Sequence, residues 1–382
     1  MILSAASALK NMKKVVILKI EEYDFDILKA RIKSAIDKHF FADNLFASGD
    51  KVLLKPNLLL VAQPQDAITT HPVFIEAVGA IFKEMGCKVA IADSPGGFVA
   101  SKDMDDVYES TRIKEIAARH NFELFYPNQS VVSEGFPLCW WVNGFKMVNL
   151  PKLKTHDIMT LTLATKNLYG CISGIHKSHL HKVYPKTADF TNIIIKLYKM
   201  IKPSLHIVDG ILSLEGNGPA KKGIPRKLNA VVIADDALYC DYAISKLLGL
   251  KDDFNPLVKQ AKKEGLLKED LEIISEFEGQ TIRDFKFPQS FILNSLPSPL
   301  ISILKGLLDF RPVINKTKCT ACAKCVEVCP QHAVTLDKGK AFIRYKQCIM
   351  CMCCSEMCKF GAVDLYESLL IKTIKALHKC IR

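Results

Sequence analysis

Along most of the chain, short apolar runs typical of strands alternate with segments in which apolar residues recur at helical spacing. Short apolar runs such as KVVILKI (residues 14–20) and KVLLKPNLL (residues 51–59) are typical of buried strands. Between them, residues 24–41 place apolar side chains at three- and four-residue spacing, which is typical of an amphipathic helix. The alternation continues from residue 12 to about residue 289 and predicts an α/β domain with a mainly parallel sheet.

Later segments extend the same pattern. It predicts helices over THPVFIEAVGAIFKEMG (70–86), VYESTRIKEIAARH (107–120) and DALYCDYAISKLLGL (236–250), and strands over KVAIADSPGG (88–97), FELFYP (122–127), LHIVDGI (205–211) and NAVVIADD (229–236). Ligands of such sheets collect at the carboxyl ends of the strands. Lys55, Asp93 and Asp209 are predicted to lie at these ends.

The cysteines are concentrated near the C-terminus. Nine of the fourteen fall between residues 319 and 358, and eight of these form two copies of one spacing. The copies are Cys319-x2-Cys322-x2-Cys325-x3-Cys329-Pro330 and Cys348-x2-Cys351-x2-Cys354-x3-Cys358-Lys359. Disulfide-stapled secreted proteins are small and carry cysteines throughout, so this local cluster predicts a metal site in a reducing, cytoplasmic compartment. AVTL and AVDL, which follow the two runs, predict short strands.

This internal repeat resembles the bacterial two-cluster ferredoxin domain over about residues 312–367. The resemblance implies two 4Fe–4S clusters, with the fourth cysteine of each run binding the other cluster. Cluster I is predicted to take Cys319, Cys322, Cys325 and Cys358, and cluster II to take Cys348, Cys351, Cys354 and Cys329. Zinc knuckles are the alternative, because C-x2-C pairs also bind zinc. Cys353 fits neither set and is predicted to be a buried small side chain, with a spare ligand or redox partner as the alternative.

The densest polar stretch of the large domain runs from Pro151 to His181. It contains lysines and four of the ten histidines, which could bind a carboxylate or phosphate and move protons near neutral pH. An ordinary solvated basic face is the alternative. HKSHLH (176–181) could also bind a metal, although no carboxylate belongs to the pattern. EGNGPAKKG (215–223) lacks the third glycine of a dinucleotide fingerprint and favours a plain turn.

Short motifs in this domain stand in the order found in one family. They are KPNLL (55–59), THP (70–72), DSPGG (93–97), PKLKTH (151–156), TKNLYGCISG (165–174) and VDGI…LEGNGP (208–219). Together they resemble the domain-of-unknown-function family 362, which is often joined to a two-cluster ferredoxin domain. The resemblance implies a single site. Its catalytic candidates are Lys55, His71, Lys152, Lys154, His156, Lys166 and Asn167, and its binding candidates are Asn57, Asp93, Asp209 and Glu215.

The remaining features set boundaries and partners. We expect residues 1–11 to be a flexible lead-in without an export signal and residues 12–295 to form the α/β domain. Residues 296–311 are predicted to be a connector, and residues 368–382 a basic amphipathic helix. No apolar run is long enough to span a bilayer. The formal charge is +12, and two oxidised clusters with their thiolates would reduce it to roughly +8. Such a charge suits an anionic small molecule or an acidic redox protein as partner.

These features favour an iron–sulfur oxidoreductase in which two clusters exchange electrons with an anionic-substrate site in the α/β domain. Two alternatives stay open. One is a non-redox enzyme with structural or regulatory clusters, and the other is a non-catalytic electron carrier or cluster-delivery protein. A nucleic-acid binder is disfavoured, because aromatic residues are not interleaved with the basic ones.

Overall fold

A computed structural model describes residues 12–40, 45–96, 101–174, 176–268, 270–288 and 310–368. Most of the predicted lead-in, connector and C-terminal helix lie outside these residues. The strands of the large domain are β1 (Lys13–Lys19), β2 (Lys51–Pro56), β3 (Lys88–Ile91), β4 (Glu123–Leu124), β5 (Ser130–Ser133), β6 (Phe136–Cys139), β7 (Lys146–Leu150), β8 (Lys152–His156), β9 (Thr160–Thr162), β10 (Leu205–Gly216), β11 (Gly223–Ala234) and β12 (Leu271–Ser275).

Its α-helices are α1 (Phe25–Phe40), α2 (Pro72–Glu84), α3 (Ser101–Ser110), α4 (Ile113–His120), α5 (Ala164–Asn167), α6 (His176–Val183), α7 (Thr187–Met200), α8 (Ala237–Leu247) and α9 (Pro256–Lys263). Helix α2 shows how the local sequence sets a boundary. Proline suits its first turn, the His71 ring caps it by accepting from the Val73 amide at 3.3 Å, and Gly86 follows it with a left-handed φ of +81°.

The central sheet has the order β12-β1-β11-β10-β7-β2-β3-β4, with β8 pairing to β10 and to β9. Its pairs are mainly parallel, while β11 runs antiparallel to β1 and β10, and β9 runs antiparallel to β8. Alternate residues of β1 enter the cores on opposite faces, with Val16 and Leu18 on one face and Val15 and Ile17 on the other. The predicted α/β class is confirmed, in the form of helices covering both faces of a mixed sheet.

Two details differ from the expected elements. The helix predicted over 107–120 is broken, because Arg112 adopts a left-handed φ of +60° and the Thr111 hydroxyl donates to the Val107 carbonyl at 2.6 Å. The strand predicted to end near Asp209 continues to Gly216, because β10 pairs with β11 as far as Gly223. Asp209 therefore lies inside β10 and not at its carboxyl end. The glycine-rich segment after Glu215 is the turn between β10 and β11.

A small C-terminal module contains β13 (Phe310–Ile314), α10 (Lys324–Glu327), β14 (Val334–Asp337), β15 (Lys340–Ile343), α11 (Cys353–Glu356) and β16 (Val363–Glu367). Strand β13 pairs with β16, and β14 pairs with β15, all antiparallel. The strands predicted over AVTL and AVDL correspond to β14 and β16. The module lies against the large domain through contacts that include Lys324 with Asp103, at 3.6 Å, and Lys222 with Asp364.

Candidate functional site

A pocket of about 700 Å³, open to solvent, lies between the large domain and the C-terminal module. Asp93 and the residues that follow β3 form one wall, and α5 with its following turn forms another. The module contributes Val328, Cys353, Glu356 and Met357. Strand ends of an α/β sheet and interfaces between domains are both common places for ligand sites. Asn57, Asp93, Lys166 and Asn167 are the sequence candidates that line this pocket directly.

The Lys55–Asp93 ion pair fixes the floor of the pocket. Lys55 Nζ lies 2.7 Å from Asp93 Oδ1, and both side chains are buried. The second oxygen, Asp93 Oδ2, accepts from the Leu58 amide at 2.7 Å. Gly170 packs directly on this pair, since a β-carbon there would come within 2.3 Å of Asp93 Oδ1 and 2.5 Å of Lys55 Nζ. The glycine is therefore required by close approach, and the pair is held rigidly.

A row of amide side chains runs behind the pocket. Lys154 Nζ donates to Asn57 Oδ1 at 2.7 Å, and Asn57 Nδ2 donates to Asn167 Oδ1 at 2.9 Å. Asn167 Nδ2 donates in turn to Asn149 Oδ1 at 2.8 Å, and Asn149 Nδ2 lies 3.0 Å from His206 Nδ1. Each amide uses its oxygen toward one neighbour and its nitrogen toward the next, so the orientations are mutually fixed. Sequence reasoning missed Asn149 and His206, because neither belongs to the quoted motifs.

Lys154 is buried without a carboxylate. Its second partner is the Ile68 carbonyl at 2.7 Å. Burial, assisted by the nearby positive charge of Lys166, holds the pKa of Lys154 well below its usual range. A neutral amine can still donate both of these hydrogen bonds, and it keeps one lone pair.

Lys166 is the cation that faces the pocket. Within the described part of the chain its Nζ has no hydrogen-bond or ion-pair partner, and its nearest aromatic contact is the Tyr169 ring, 5.9 Å away. Burial lowers the pKa of Lys166, while Glu356 and Cys353 act in the opposite direction. An anion in the pocket would offset this loss of hydration.

Lys177 forms part of the opposite wall. Its Nζ donates to the Ser94 hydroxyl at 2.9 Å and also to the Ser94 and Ile172 carbonyls. Burial lowers the pKa of Lys177 to about 8. Lys177 therefore ties the turn after β3 to the segment before α6, and it brings an ionisable group into the wall.

His156 and Glu356 meet across the two domains. His156 Nδ1 accepts from the Ile158 and Met159 amides at 3.1 and 3.3 Å, which assigns the proton of the neutral ring to Nε2. Nε2 lies 3.1 Å from Glu356 Oε1, although the two atoms are not aligned as a hydrogen bond. Burial lowers the pKa of His156 to about 4. Burial alone would raise the pKa of Glu356, but the interactions with His156, which is protonated only below about pH 4, and with Lys166 outweigh it and bring that pKa to about 2.

Four of the predicted site residues lie elsewhere. Lys152 Nζ lies 2.8 Å from Asp209 Oδ2 and donates to the Tyr23 hydroxyl at 2.9 Å, and this hydroxyl donates to Asp209 Oδ1 at 2.7 Å. The Tyr23 and His71 rings stack with centroids 3.6 Å apart, and the His71 amide donates to Asp209 at 2.9 Å. Inside the large domain, Lys152, Asp209 and His71 therefore contact one another and Tyr23. They do not line the pocket.

Glu215 also belongs to a separate contact. Its Oε2 accepts from Arg226 and from the Lys286 amide, both at 3.0 Å. The expectation of a single site is therefore corrected. Lys152, Lys154 and His156 do share one face of β8, because alternate residues of a strand point the same way. Their neighbours nevertheless differ, because Lys152 contacts Asp209, Lys154 contacts Asn57 and His156 lies next to Glu356.

The histidines of the HKSHLH segment do not converge. His176 and His179 are exposed, whereas His181 is buried and stacks on Phe190 with ring centroids 4.3 Å apart. Within the described ranges, no group of three or more His, Cys, Asp or Glu side chains is close enough to hold a single metal ion. Four thiolates around a 4Fe–4S cube stand further apart than the ligands of one zinc ion.

The C-terminal cysteines fit a pair of clusters in two respects. All four predicted cluster I ligands, Cys319, Cys322, Cys325 and Cys358, line one cavity. In addition, backbone amides donate to the sulfurs of four predicted ligands, at 3.2 Å for Cys329 and Cys358 and 3.4 Å for Cys319 and Cys348. Such N–H···S bonds stabilise thiolates that bind iron. The individual ligand assignments stay predictions.

The two cysteine runs also share one backbone conformation. Ala321 and Ala323 have φ of +59° and +64°, and Met350 and Met352, at the corresponding positions of the second run, have +54° and +61°. Non-glycine residues seldom adopt this region. The sequence repeat is therefore a structural repeat, and Cys353 is buried at the start of α11 where it lines the pocket.

Comparison with known proteins gives the family. Residues 52–246, about half of the chain, match the family described as Domain of unknown function (DUF362). The chain belongs to this family. Residues 311–359 match the 4Fe-4S dicluster domain, so the C-terminal cysteines bind two 4Fe–4S clusters. The chain is similar to the thylakoid-associated protein sll1697 of Synechocystis sp., with 29% identity over 264 residues that cover 67% of this chain and 80% of that protein. No solved structure matches.

Both resemblances seen in the sequence are thereby confirmed. Sequence reasoning missed the pocket residues Ser94, Tyr169 and Glu356. Ser94 belongs to the DSPGG motif and Tyr169 to the TKNLYGCISG motif, but nothing local connects Glu356 with His156, 200 positions away. In the described part of the chain, no helix is long and apolar enough to cross a membrane.

Proposed function

We propose that the chain is an iron–sulfur oxidoreductase that exchanges electrons with a small anionic molecule bound in the pocket between its two domains. One observation carries the proposal: a single pocket is lined both by Lys166, a cation without an ion-pair or hydrogen-bond partner among the described residues, and by neighbours of the predicted cluster II ligands. Val328 precedes Cys329, and Cys353 precedes Cys354. When bound, the clusters supply single electrons.

The residues of the chain would bind and orient the molecule. Lys166 would contact its carboxylate or phosphate, because an ammonium that lacks a protein partner gains most from a charge-assisted hydrogen bond. The Lys55–Asp93 pair and the asparagine row would hold the opposite side of the pocket at fixed geometry. Lys177, whose pKa is about 8, would exchange the proton that accompanies an electron near neutral pH.

The test uses the cluster-loaded full chain prepared without oxygen, with inorganic phosphate as the probe. Phosphate beside a cluster stabilises the oxidised form, so the potential of one cluster should fall on phosphate addition, as measured by a redox titration followed with electron paramagnetic resonance. Lys166→Ala should abolish this shift. Lys196→Ala, which removes an exposed lysine on α7, is the matched control and should retain it.

A shift that persists in Lys166→Ala, or that is absent from the native chain, would contradict the anionic site. Oxidants that carry a carboxylate or phosphate group should reoxidise the reduced protein about a hundredfold more slowly in Lys166→Ala than in the control, the size expected for one lost positioning contact. A phosphate-dependent potential without any such reoxidation would indicate a regulated electron carrier instead of an enzyme.

We also propose that the chain works in the cytoplasm, because reduced cysteines and iron–sulfur ligation require a reducing compartment. The relative from Synechocystis is named for an association with thylakoids. Cell fractionation is the deciding measurement, and recovery of this chain only with membranes would contradict the proposal.

A further inference from the structure

The cluster I cavity and the interdomain pocket are lined by different residues. The module residues in the pocket wall adjoin the predicted cluster II ligands, whereas the cluster I cavity is lined by residues of the module itself, from Ile314 to Val363. Of the eight predicted ligands, all within the described residues, Cys322 is the exposed one. Cluster I therefore has the most exposed of the eight predicted ligands, which gives it a route to the surface.

The surface around this route combines apolar and basic side chains. Leu336 and Phe360 both line the cavity and are 46% and 42% exposed. Residues 316–346 contain seven lysines and arginines against two acidic residues. Lys316, Lys318, Lys338, Arg344 and Lys346 are exposed. A small apolar centre with a charged rim is the composition of a transient docking site.

We propose that an acidic one-electron carrier protein docks on this surface, with its redox centre over Cys322, and exchanges electrons with cluster I. The inference rests on the proposed electron transfer but does not depend on the pocket ligand. Charge selects the occupant. A second copy of this basic chain would be repelled, and residues 369–382 carry three lysines and one arginine without an acidic residue.

The first measurement is binding of a flavodoxin, a small acidic one-electron carrier, to the oxidised cluster-loaded chain by isothermal titration calorimetry. Lys316 and Lys338 each lie two residues from a residue that lines the cavity, and neither makes an ion pair with another described residue. The double variant Lys316→Glu/Lys338→Glu should raise Kd about tenfold at low ionic strength, and the difference should shrink as salt is added.

Lys196→Glu/Lys263→Glu is the matched control. It changes the net charge equally, at exposed positions on α7 and α9 of the large domain. It should change Kd less than about twofold, since steering depends on where the charge lies. An equal loss in both variants would show attraction to overall charge and would overturn the proposal, as would absence of flavodoxin binding.

Two further readouts locate the contact. Hydrogen exchange should show protection of residues 316–346 when flavodoxin is added, and the second-order rate of cluster reduction by reduced flavodoxin should fall in parallel with affinity. Protection elsewhere, or an unchanged rate despite weaker binding, would overturn the proposal. The phosphate-induced potential shift should survive in Lys316→Glu/Lys338→Glu, so failure of the docking surface and failure of the pocket are distinguishable.

Discussion

At the scale of single residues, two buried lysines, Lys55 on β2 and Lys154 on β8, show how the site is built. Lys55 meets a carboxylate, whereas Lys154 meets only an amide oxygen and a carbonyl. Burying an ammonium is costly without an opposite charge, and the pKa of Lys154 is accordingly held far below its usual range by burial. Lys55 fixes the carboxylate of Asp93 beside the pocket, and Lys154 is the hydrogen-bond donor at one end of the asparagine row.

The substitution Gly170→Ala tests the rigidity of the Lys55–Asp93 pair. A methyl group at this position would overlap both charged groups, so the pair must separate. Separating a buried ion pair costs about 3–5 kcal/mol, which should appear as a lower urea midpoint with an unchanged slope. Gly144→Ala is the control, because it has open space around it and a left-handed φ of +86°. It should cost only about 1 kcal/mol. An equal loss of stability in the two variants would show that the Lys55–Asp93 pair separates at little cost.

At the scale of elements, local sequence patterns predicted the strands and helices well, whereas contacts between residues distant in sequence could not be predicted. The periods that define β1, β2, α1 and α2 are set by neighbours within a few residues, as is the cysteine spacing. The extension of β10 depends on pairing with β11, and the pocket depends on α11 reaching β8. Neither leaves a local signal. The structure accordingly separates the candidate residues. Asn57, Asp93, Lys166 and Asn167 line one pocket, while Lys152, Asp209, His71 and Glu215 make other contacts.

The left-handed turn before α10 should be needed to assemble the first cysteine run. Ala323→Val places a β-branched side chain at φ +64°, which that side chain strongly disfavours. Iron content should fall from about eight toward about four atoms per chain. Ala323→Gly keeps this conformation without strain and should retain full iron. Full loading of the valine variant would show that the turn is not required.

Crossed ligation between the two runs can be tested by combining substitutions. Cys358→Ser should leave about four irons per chain. Adding Cys322→Ser should remove none of these, because both cysteines are predicted to bind cluster I. Adding Cys351→Ser instead should remove the rest. The opposite pattern would mean that each run binds its own cluster. Iron and sulfide analysis of anaerobically prepared protein provides the measurement.

At the scale of the whole molecule, buried ionisable groups set the response to acid. Burial lowers the pKa of His71, His156, His181 and His206 to about 4. Burial raises the pKa of Asp157 and Asp241 to about 7, which has the opposite effect on stability. Between pH 6.5 and 4 the unfolded chain binds protons at histidines that the folded chain keeps neutral. Histidines therefore make stability fall as pH falls through this window, and the two carboxyls partly offset the fall.

His206→Gln isolates one of these contributions at a position remote from the cysteines. Glutamine keeps an acceptor for Asn149 but does not titrate. Because the pKa of His206 is about 4, the free energy of unfolding of the native chain should fall by about 2 kcal/mol more than that of the variant between pH 7 and pH 5. The variant will be less stable at pH 7 if repacking is imperfect, so the informative quantity is the change with pH in urea unfolding. His179→Gln, at an exposed position on α6, should show the native pH dependence. If His206→Gln also retains that dependence, the pKa of His206 is the same in the folded and unfolded chains, and burial does not lower it.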